Sequence, residues 1–425
     1  MHTYRQVLIL GYGGSGRAAE ALLRSEGALV KVISQEMTPD YTYESLPFEP
    51  DVAIVSPGFS LEHPWVKDLV ARGIPLLSEL ELGWSRRRCP VIAVTGSNGK
   101  STVVKWIADA LTQAGHPAIP CGNYGLPVSA AVMQPDTPEW LVIEVSSFQL
   151  ETIDLFRPEI GVLLNVLPNH LDRHGDLETY RAFKFRLFEN MTAEDIAIVA
   201  ASLLEDTQRT VKACAVTKTF GTEKGTDYCF KEGRVGPLDV SGTYFDNEIL
   251  GAAVAAVAAV ADACDLPLES LATTARDFEP LPHRMQLVAK INGVRFINDS
   301  KATNLAGMCA ALRMTSGRIH LIAGGRAKES DLSFVKDLLA QRVSQLYLIG
   351  EASSAMQSAW GDDVSCFLCE TLDKAVLMAG KSAMPGETVL LSPACTSFDQ
   401  FRSFAERGEA FVREVNRLVE LDAGA

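Results

Sequence analysis

The chain has 425 residues, 47% hydrophobic and 22% charged, with a net charge of −14, which gives room for roughly three domains with their own cores. Such an acidic protein is a poor match for nucleic acid or an anionic membrane, so an anionic ligand must be held by local positive groups. The nine cysteines are scattered and odd in number, and charge and glycine break up the apolar run near the start, so a reducing cytoplasm is expected, without a secretory signal.

The run Gln6-Val-Leu-Ile-Leu10 predicts a strand, Gly11-Tyr-Gly13-Gly14-Ser15-Gly16 a tight turn, and residues 18–23 a helix. Together they open a Rossmann-like unit, with strands following at Leu29–Ile33 and Val52–Val55, the latter ending in Ser56-Pro57-Gly58. The functional reading places an anionic ligand such as a nucleotide diphosphate at Gly14 and Ser15; the alternative is a glycine turn that serves packing alone. NAD is disfavoured, because Ser34 and Gln35 follow the second strand and Glu36 comes late for a ribose contact. Cys89-Pro90 reads as a linker, which bounds an N-terminal domain at 1–90.

A β-branched run at 91–94 predicts a buried strand, followed by Thr95-Gly96-Ser97-Asn98-Gly99-Lys100-Ser101-Thr102 and a helical pattern at Val103, Val104, Ile107, Ala108 and Leu111. Strand, glycine loop and helix make a phosphate cradle for ATP. Gly96 and Gly99 let backbone N–H groups turn toward phosphate, Lys100 reaches the β- and γ-phosphates, and the Ser101 hydroxyl is placed for Mg²⁺. The alternative is an ordinary turn with a surface lysine. Strands are predicted at Trp140–Glu144, 160–165 and 196–199, giving a parallel sheet. Glu144 ends its strand where a second Mg²⁺ ligand belongs, unless it reaches solvent. His170, in Pro168-Asn169-His170-Leu-Asp172-Arg173-His174-Gly175, is open between ligand and structural roles. Residues 252–261 predict a packed helix, too short for a membrane span. Leu281-Pro-His-Arg284 closes a central domain at 91–280. A hairpin at 288–296 about Asn292-Gly293 and strands at 319–323, 346–349 and 389–391 predict a third, smaller α/β domain over 281–425. The lone Cys366-Phe-Leu-Cys369 reads as part of a strand.

Six stretches in order carry a resemblance that spans nearly the whole chain. They are Thr95-Gly-Ser-Asn-Gly-Lys-Ser-Thr-Val103, Glu144-Val-Ser-Ser-Phe-Gln-Leu-Glu151, Tyr180-Arg-Ala-Phe-Lys184, Leu281-Pro-His-Arg284, Ile297-Asn-Asp-Ser-Lys-Ala-Thr-Asn304 and Leu391-Ser-Pro-Ala-Cys-Thr-Ser-Phe-Asp-Gln-Phe401. The chain resembles the Mur ligases, ATP-dependent amide-forming enzymes of peptidoglycan precursor synthesis.

The resemblance implies a three-domain α/β fold: an N-terminal Rossmann-like domain for the UDP end of the substrate, a central P-loop domain for ATP, and a C-terminal Rossmann-like domain that closes over both. It implies UDP-N-acetylmuramoyl-L-alanine and glutamate as substrates, joined through an acyl phosphate, with the D hand of glutamate resting on the resemblance alone. Lys100, His170 and Lys184 would be catalytic. Ser101 and Glu144 would hold one Mg²⁺, and His170 with a carbamylated Lys184 a second. Ser56, Gly58, Gly122, Asn123 and Ser146 would contact the sugar nucleotide. Asn247, Arg284 and Asp299 would hold adenine, phosphate and ribose, while Lys301, Thr303, Lys328, Ser397, Phe398 and Phe404 would orient glutamate. A cytoplasmic monomer is expected. Three positions depart from the family pattern: Leu250 replaces an amide in Asp246-Asn247-Glu-Ile-Leu250, Arg326 follows Gly324-Gly325, and Phe398 stands where leucine is common. The rival readings are a related ligase that uses L-glutamate or another amino acid, such as a folylpolyglutamate synthase, and a P-loop ATPase or nucleotide-binding regulator that does not ligate.

Overall fold

Apolar runs rich in Val, Ile and Leu become strands covered on both faces, because such side chains fill both sides of a parallel sheet. The computed structural model describes residues 3–38, 41–210, 216–329 and 331–423. The chain divides into two units, Met1–Pro168 with Arg173–Phe278, and Asn169–Asp172 with Glu279–Ala425.

The first unit holds two sheets. In the smaller, β1 (Gln6–Leu10), β2 (Leu29–Ile33), β3 (Val52–Val55) and β4 (Leu76–Ser78) are parallel in the order β2-β1-β3-β4. After β1 the chain turns at Gly11 (φ +90°), and a Cβ on Gly16 would lie 2.1 Å from the Gly11 carbonyl oxygen, so the helix Gly14–Ser25 packs at a distance only glycine permits.

The larger sheet contains β5 (Val91–Thr95), β6 (Ala118–Gly122), β7 (Trp140–Glu144), β8 (Ile160–Leu163), β9 (Ile196–Ala200), β10 (Val216–Gly221), β11 (Tyr228–Lys231), β12 (Arg234–Val235) and β13 (Leu238–Asp239). Their order is β13-β12-β11-β10-β9-β8-β5-β7-β6, parallel from β6 to β11 and antiparallel beyond. β5 lies between β7 and β8, with Val94 beside Glu144 and Thr95 beside Leu163, so one edge collects residues far apart in sequence. The helix Lys100–Gln113 buries Val103, Val104, Ile107 and Leu111, the apolar positions that predicted it. Its Trp106 stacks on Phe245 at 3.9 Å and donates Nε1–H to Thr274 Oγ1 at 2.9 Å. In the helix Glu248–Ala263, alanines and valines from Val254 to Ala261 are all buried, small enough to lie close against the sheet.

Bonds tie the two sheets on either side of Cys89-Pro90. The buried Glu81 accepts from the N–H groups of Asp154, Leu155 and Phe156 at 3.0, 3.2 and 3.0 Å, and the buried Glu79 accepts from Ser129 N–H at 2.5 Å. Within the N-terminal part, Arg86 grips Glu26 at 3.0 and 3.1 Å.

The second unit is built on β14 (Gln286–Ile291), β15 (Val294–Asn298), β16 (Ile319–Gly324), β17 (Val343–Ile349), β18 (Cys366–Glu370) and β19 (Thr388–Leu391), in the order β14-β15-β19-β16-β17-β18. All pairs are parallel except the hairpin β14–β15. That hairpin turns at Asn292 (φ +48°) and Gly293 (φ +81°), the two positive angles a type I′ turn needs. Among the described residues no helix is long and apolar enough to cross a membrane.

Candidate active site

The phosphate loop follows β5 at the edge where β7 and β8 end. Gly96 has φ +154° and a Cβ there would press on Leu164 at 3.0 Å; Gly99, at φ +86°, opens the helix Lys100–Gln113 in a left-handed conformation. The loop is braced from β8. Asn165 Oδ1 accepts from Ser97 N–H at 2.9 Å and Asn98 N–H at 3.0 Å, and its amide donates to Asn98 O at 3.2 Å. Ser97 is spent on this bracing as well. Its hydroxyl meets Leu167 O (3.0 Å) and Tyr180 OH (3.0 Å) and accepts from Leu167 N–H (2.9 Å), so it shapes the cradle. Thr102, the next hydroxyl along, is buried in the first turn of the helix.

One carboxylate joins the nucleotide loop to the loop after β6. Glu144, buried at the end of β7, accepts from Ser101 Oγ at 2.5 Å through Oε2 and from Asn123 Nδ2 at 2.6 Å through Oε1. Asn123 also donates its backbone N–H to Glu144 O at 2.9 Å. Gly122 allows that approach, since a Cβ on it would stand 2.4 Å from the same carbonyl. Ser101 and Glu144 offer a hydroxyl and a carboxylate, hard oxygen donors of the kind Mg²⁺ takes, and few enough to leave positions for phosphate and water.

Lys100 and Lys184 converge on one acceptor. Lys100 Nζ donates to Gly96 O at 2.8 Å and Ser97 O at 3.1 Å, and Lys184 Nζ donates to Gly96 O at 2.9 Å. Lys184 is 1% exposed. Burial first, and then the charge of Lys100, hold its amine well below the usual lysine range, against the pull of Glu144. Tyr180 lies beneath it, with Nζ 4.6 Å from the ring centroid.

At the N-terminal sheet, Gly14 and Ser15 begin the helix Gly14–Ser25, and Ser56 Oγ donates to Gly11 O at 3.2 Å. Gly58 is exposed beside it. Ser146 caps the helix Ser147–Leu150 in a reciprocal pair with Gln149. Asn247 caps the helix Glu248–Ala263: its oxygen accepts from Leu250 N–H at 2.9 Å and its amide donates to Tyr244 O at 3.0 Å, so both polar ends already bond within the chain.

The remaining expected residues lie in the second unit. His170 is in the short segment Asn169–Asp172, at φ +57°. Asp299 is buried, accepting from Ser392 Oγ at 2.9 Å and Met285 N–H at 3.2 Å; burial pushes its carboxyl up to about 7. Arg284 sits two residues before β14. Lys301 Nζ stands 3.9 Å from the ring centroid of Phe404. Thr303 precedes Asn304, the cap of the helix Leu305–Met314, and Lys328 lies in the loop after β16. Ser397 is 1% exposed and its hydroxyl is a buried donor without a hydrogen-bond partner among the described residues, whereas Phe398 is 63% exposed. Arg326 donates to Glu351 at 3.0 and 2.9 Å. Arg407, which sequence reasoning missed, binds the loops together. Its buried guanidinium donates to Ser300 Oγ (3.0 Å), Ser300 O (2.9 Å) and Cys395 O (3.0 Å), and reaches Thr396 O at 3.3 Å.

Comparison with known proteins places this geometry in a family. Residues 94–247 match the model of the Mur ligase middle domain and residues 283–395 that of the Mur ligase glutamate ligase domain. The UDP-N-acetylmuramoylalanine--D-glutamate ligase of Acidobacterium capsulatum is 35% identical, over 96% of this chain and 95% of that protein. The chain is a Mur ligase. The protein of the same name from Pelotomaculum thermopropionicum is 36% identical to this Mur ligase, over 96% of the chain and 97% of the relative. Among solved structures, the MurF ligase of Thermotoga maritima in complex with ADP shares the fold, with a TM-score of 0.63 at 17% identity over 98% of each chain. Missed from the sequence of this Mur ligase were Asn165, Tyr180, Arg173 and Arg407. Asn165 carried a usable signal, an amide just past a buried strand; Arg407 lies early in the helix Phe404–Ala423, and nothing local marks it.

Proposed function

We propose that this Mur ligase joins D-glutamate to UDP-N-acetylmuramoyl-L-alanine at the expense of ATP. The observation that carries the reading is Glu144, which bonds Ser101 of the phosphate loop through one oxygen and Asn123 through the other. Through that carboxylate the loop for the nucleotide phosphate is joined to the loop for the sugar nucleotide, whose own carboxylate is the acyl donor. The names of the full-length relatives supply the choice of substrates.

A carboxylate is a poor acyl donor until its oxygen carries a leaving group. The substrate carboxylate attacks the γ-phosphorus and the bond to ADP breaks, giving an acyl phosphate. The glutamate amine then adds to the carbonyl, loses a proton, and phosphate departs. Mg²⁺ held by Ser101 and Glu144 supplies charge neutralisation at the transferring phosphoryl group. Lys100 leaves its carbonyl partners for the β- and γ-phosphate oxygens, where negative charge grows. Ser397, with its buried donor, and Lys301 fit a carboxylate of glutamate.

Lys184 is the residue for a second Mg²⁺, as its carbamate. A buried ammonium beside Lys100 repels a cation, while a neutral amine attacks CO₂, forming an N–C bond and releasing a proton to solvent. The depressed basicity of Lys184 supports this, because burial and the Lys100 charge favour the neutral amine that reacts with CO₂. Labelling with ¹³C-bicarbonate and NMR tests it; full activity without label at Lys184 overturns it.

The test of the function is phosphate release with UDP-N-acetylmuramoyl-L-alanine, ATP and D-glutamate, L-glutamate or D-aspartate. Turnover that needs both substrates and favours D-glutamate is expected. Preference for L-glutamate overturns the hand, and release without any amino acid overturns ligation.

A further inference from the structure

Two charged residues, Glu151 at the end of a matched stretch and Arg173 beyond it, have no part in the chemistry above. Both are largely buried, with side chains 5% and 13% exposed. They form a two-pronged pair, Arg173 Nε to Glu151 Oε1 at 2.9 Å and Nη2 to Oε2 at 2.5 Å, above the ring of Phe148 at 4.2 Å. The guanidinium has donors to spare, and they cross to the N-terminal sheet. Nη1 donates to Pro57 O at 2.6 Å and Nη2 to Phe59 O at 2.7 Å.

Those two carbonyls fix how the loop after β3 presents itself. Among the described residues no peptide bond is cis, and in a trans peptide the carbonyl and the following N–H point to opposite sides. Drawing Pro57 O and Phe59 O onto Arg173 therefore aims the N–H groups of Gly58 and Ser60 the other way. Gly58 is exposed, and Ser56 is pinned to Gly11 O at the end of β1. Two N–H donors directed outward beside a glycine turn make a place for phosphate oxygens. Glu151 belongs to the stretch that starts at Glu144, so the loop is referenced to the same segment that carries the metal-binding carboxylate.

We propose that Arg173, held by Glu151, is a positioning residue for the sugar nucleotide: it orients the Ser56–Ser60 backbone toward the substrate diphosphate and sets that loop relative to the phosphate loop. The inference rests on the substrate reading given above. The test compares wild type with Arg173→Lys, which keeps the charge but has one nitrogen for two carbonyls and a carboxylate, and with Glu151→Gln, which keeps the guanidinium but loosens it. KM is measured for UDP-N-acetylmuramoyl-L-alanine, ATP and D-glutamate, with ADP affinity by calorimetry and Tm alongside. Arg173→Lys should raise KM for the sugar nucleotide by roughly tenfold or more while ADP affinity and the other two KM values stay within about twofold, and Glu151→Gln should move the same KM by less. Added guanidinium should restore part of the affinity in Arg173→Ala. Unchanged KM with only a lower Tm, or equal rises for ATP and the sugar nucleotide, overturns the positioning role. If Arg173→Lys does not fold, Glu151→Gln and the guanidinium rescue decide the same way. Wild type that fails to turn over the sugar nucleotide removes the substrate reading itself, an outcome distinct from an active wild type with a silent Arg173.

Discussion

Replacing Asp299 by asparagine isolates the energetic cost of a buried carboxylate in the second unit. Burial raises the Asp299 carboxyl from 3.8 to about 7, although Ser392 and Met285 donate to it and the Arg284 and Arg407 charges favour ionisation. Between those values the folded protein holds a proton that the unfolded chain has released. Stability therefore falls as pH rises from about 4 to about 7, and the full cost applies above that. A shift near three units corresponds to on the order of 4 kcal/mol at about 1.4 kcal/mol per unit. An asparagine side chain cannot ionise, so the Asp299→Asn variant lacks this slope. It has one acceptor oxygen for two donors, which costs about 1 kcal/mol at every pH. Urea unfolding of both proteins without nucleotide at pH 4.5, 6 and 8 should show Asp299→Asn about as stable as wild type at the lowest pH and increasingly more stable at the two higher values. A stability difference that stays flat across those three values would refute the reasoning, because only the ionisation of Asp299 supplies the slope.

Lys100→Ala should leave the urea midpoint near wild type and reduce kcat by about 3 kcal/mol in transition-state terms, read by coupled phosphate release. Gly122→Ala introduces a Cβ 2.4 Å from Glu144 O at φ +94°; stability should drop by about 2–4 kcal/mol, and the Mg²⁺ concentration for half-maximal activity should rise. Arg407→Met strips donors from the buried Ser300 and Cys395 carbonyls and should cost at least about 3 kcal/mol by urea unfolding, with a raised KM for glutamate in what remains folded. Removing Mg²⁺ with a chelator should abolish turnover while leaving Tm in the absence of nucleotide within about 2 °C, because Ser101 and Glu144 already bond to each other.

Where the sequence is locally periodic, it reveals its elements. Gln6–Leu10, Leu29–Ile33 and Val52–Val55 are strands as the apolar runs predict, and the helix Lys100–Gln113 buries the face its spacing marks. The run at 160–165 overshoots: β8 ends at Leu163 and Asn165 turns out to brace Ser97 and Asn98, a role visible only once β5 and β8 are side by side. β6 escapes notice because Pro120 interrupts it, and proline is tolerated there only because the strand is at the sheet edge. The convergence of Lys100 and Lys184 on Gly96 O depends on chain segments 84 positions apart meeting in space, which no local pattern encodes. The same holds for Arg173 and Pro57.

The wide sheet of the first unit has borders that refuse company. A free strand edge is a row of open peptide groups on which another chain can crystallise its own backbone, and a sheet of this breadth would be a generous template. At one border Pro120 breaks the row with a missing donor. At the other the sheet dwindles to Leu238–Asp239, where Asp239 is salt-bridged to Arg234 at 2.7 Å. Newly made chains crowded around a ribosome therefore find no long, flat seam along either side, and among the described residues the sheet stops growing at its ninth strand.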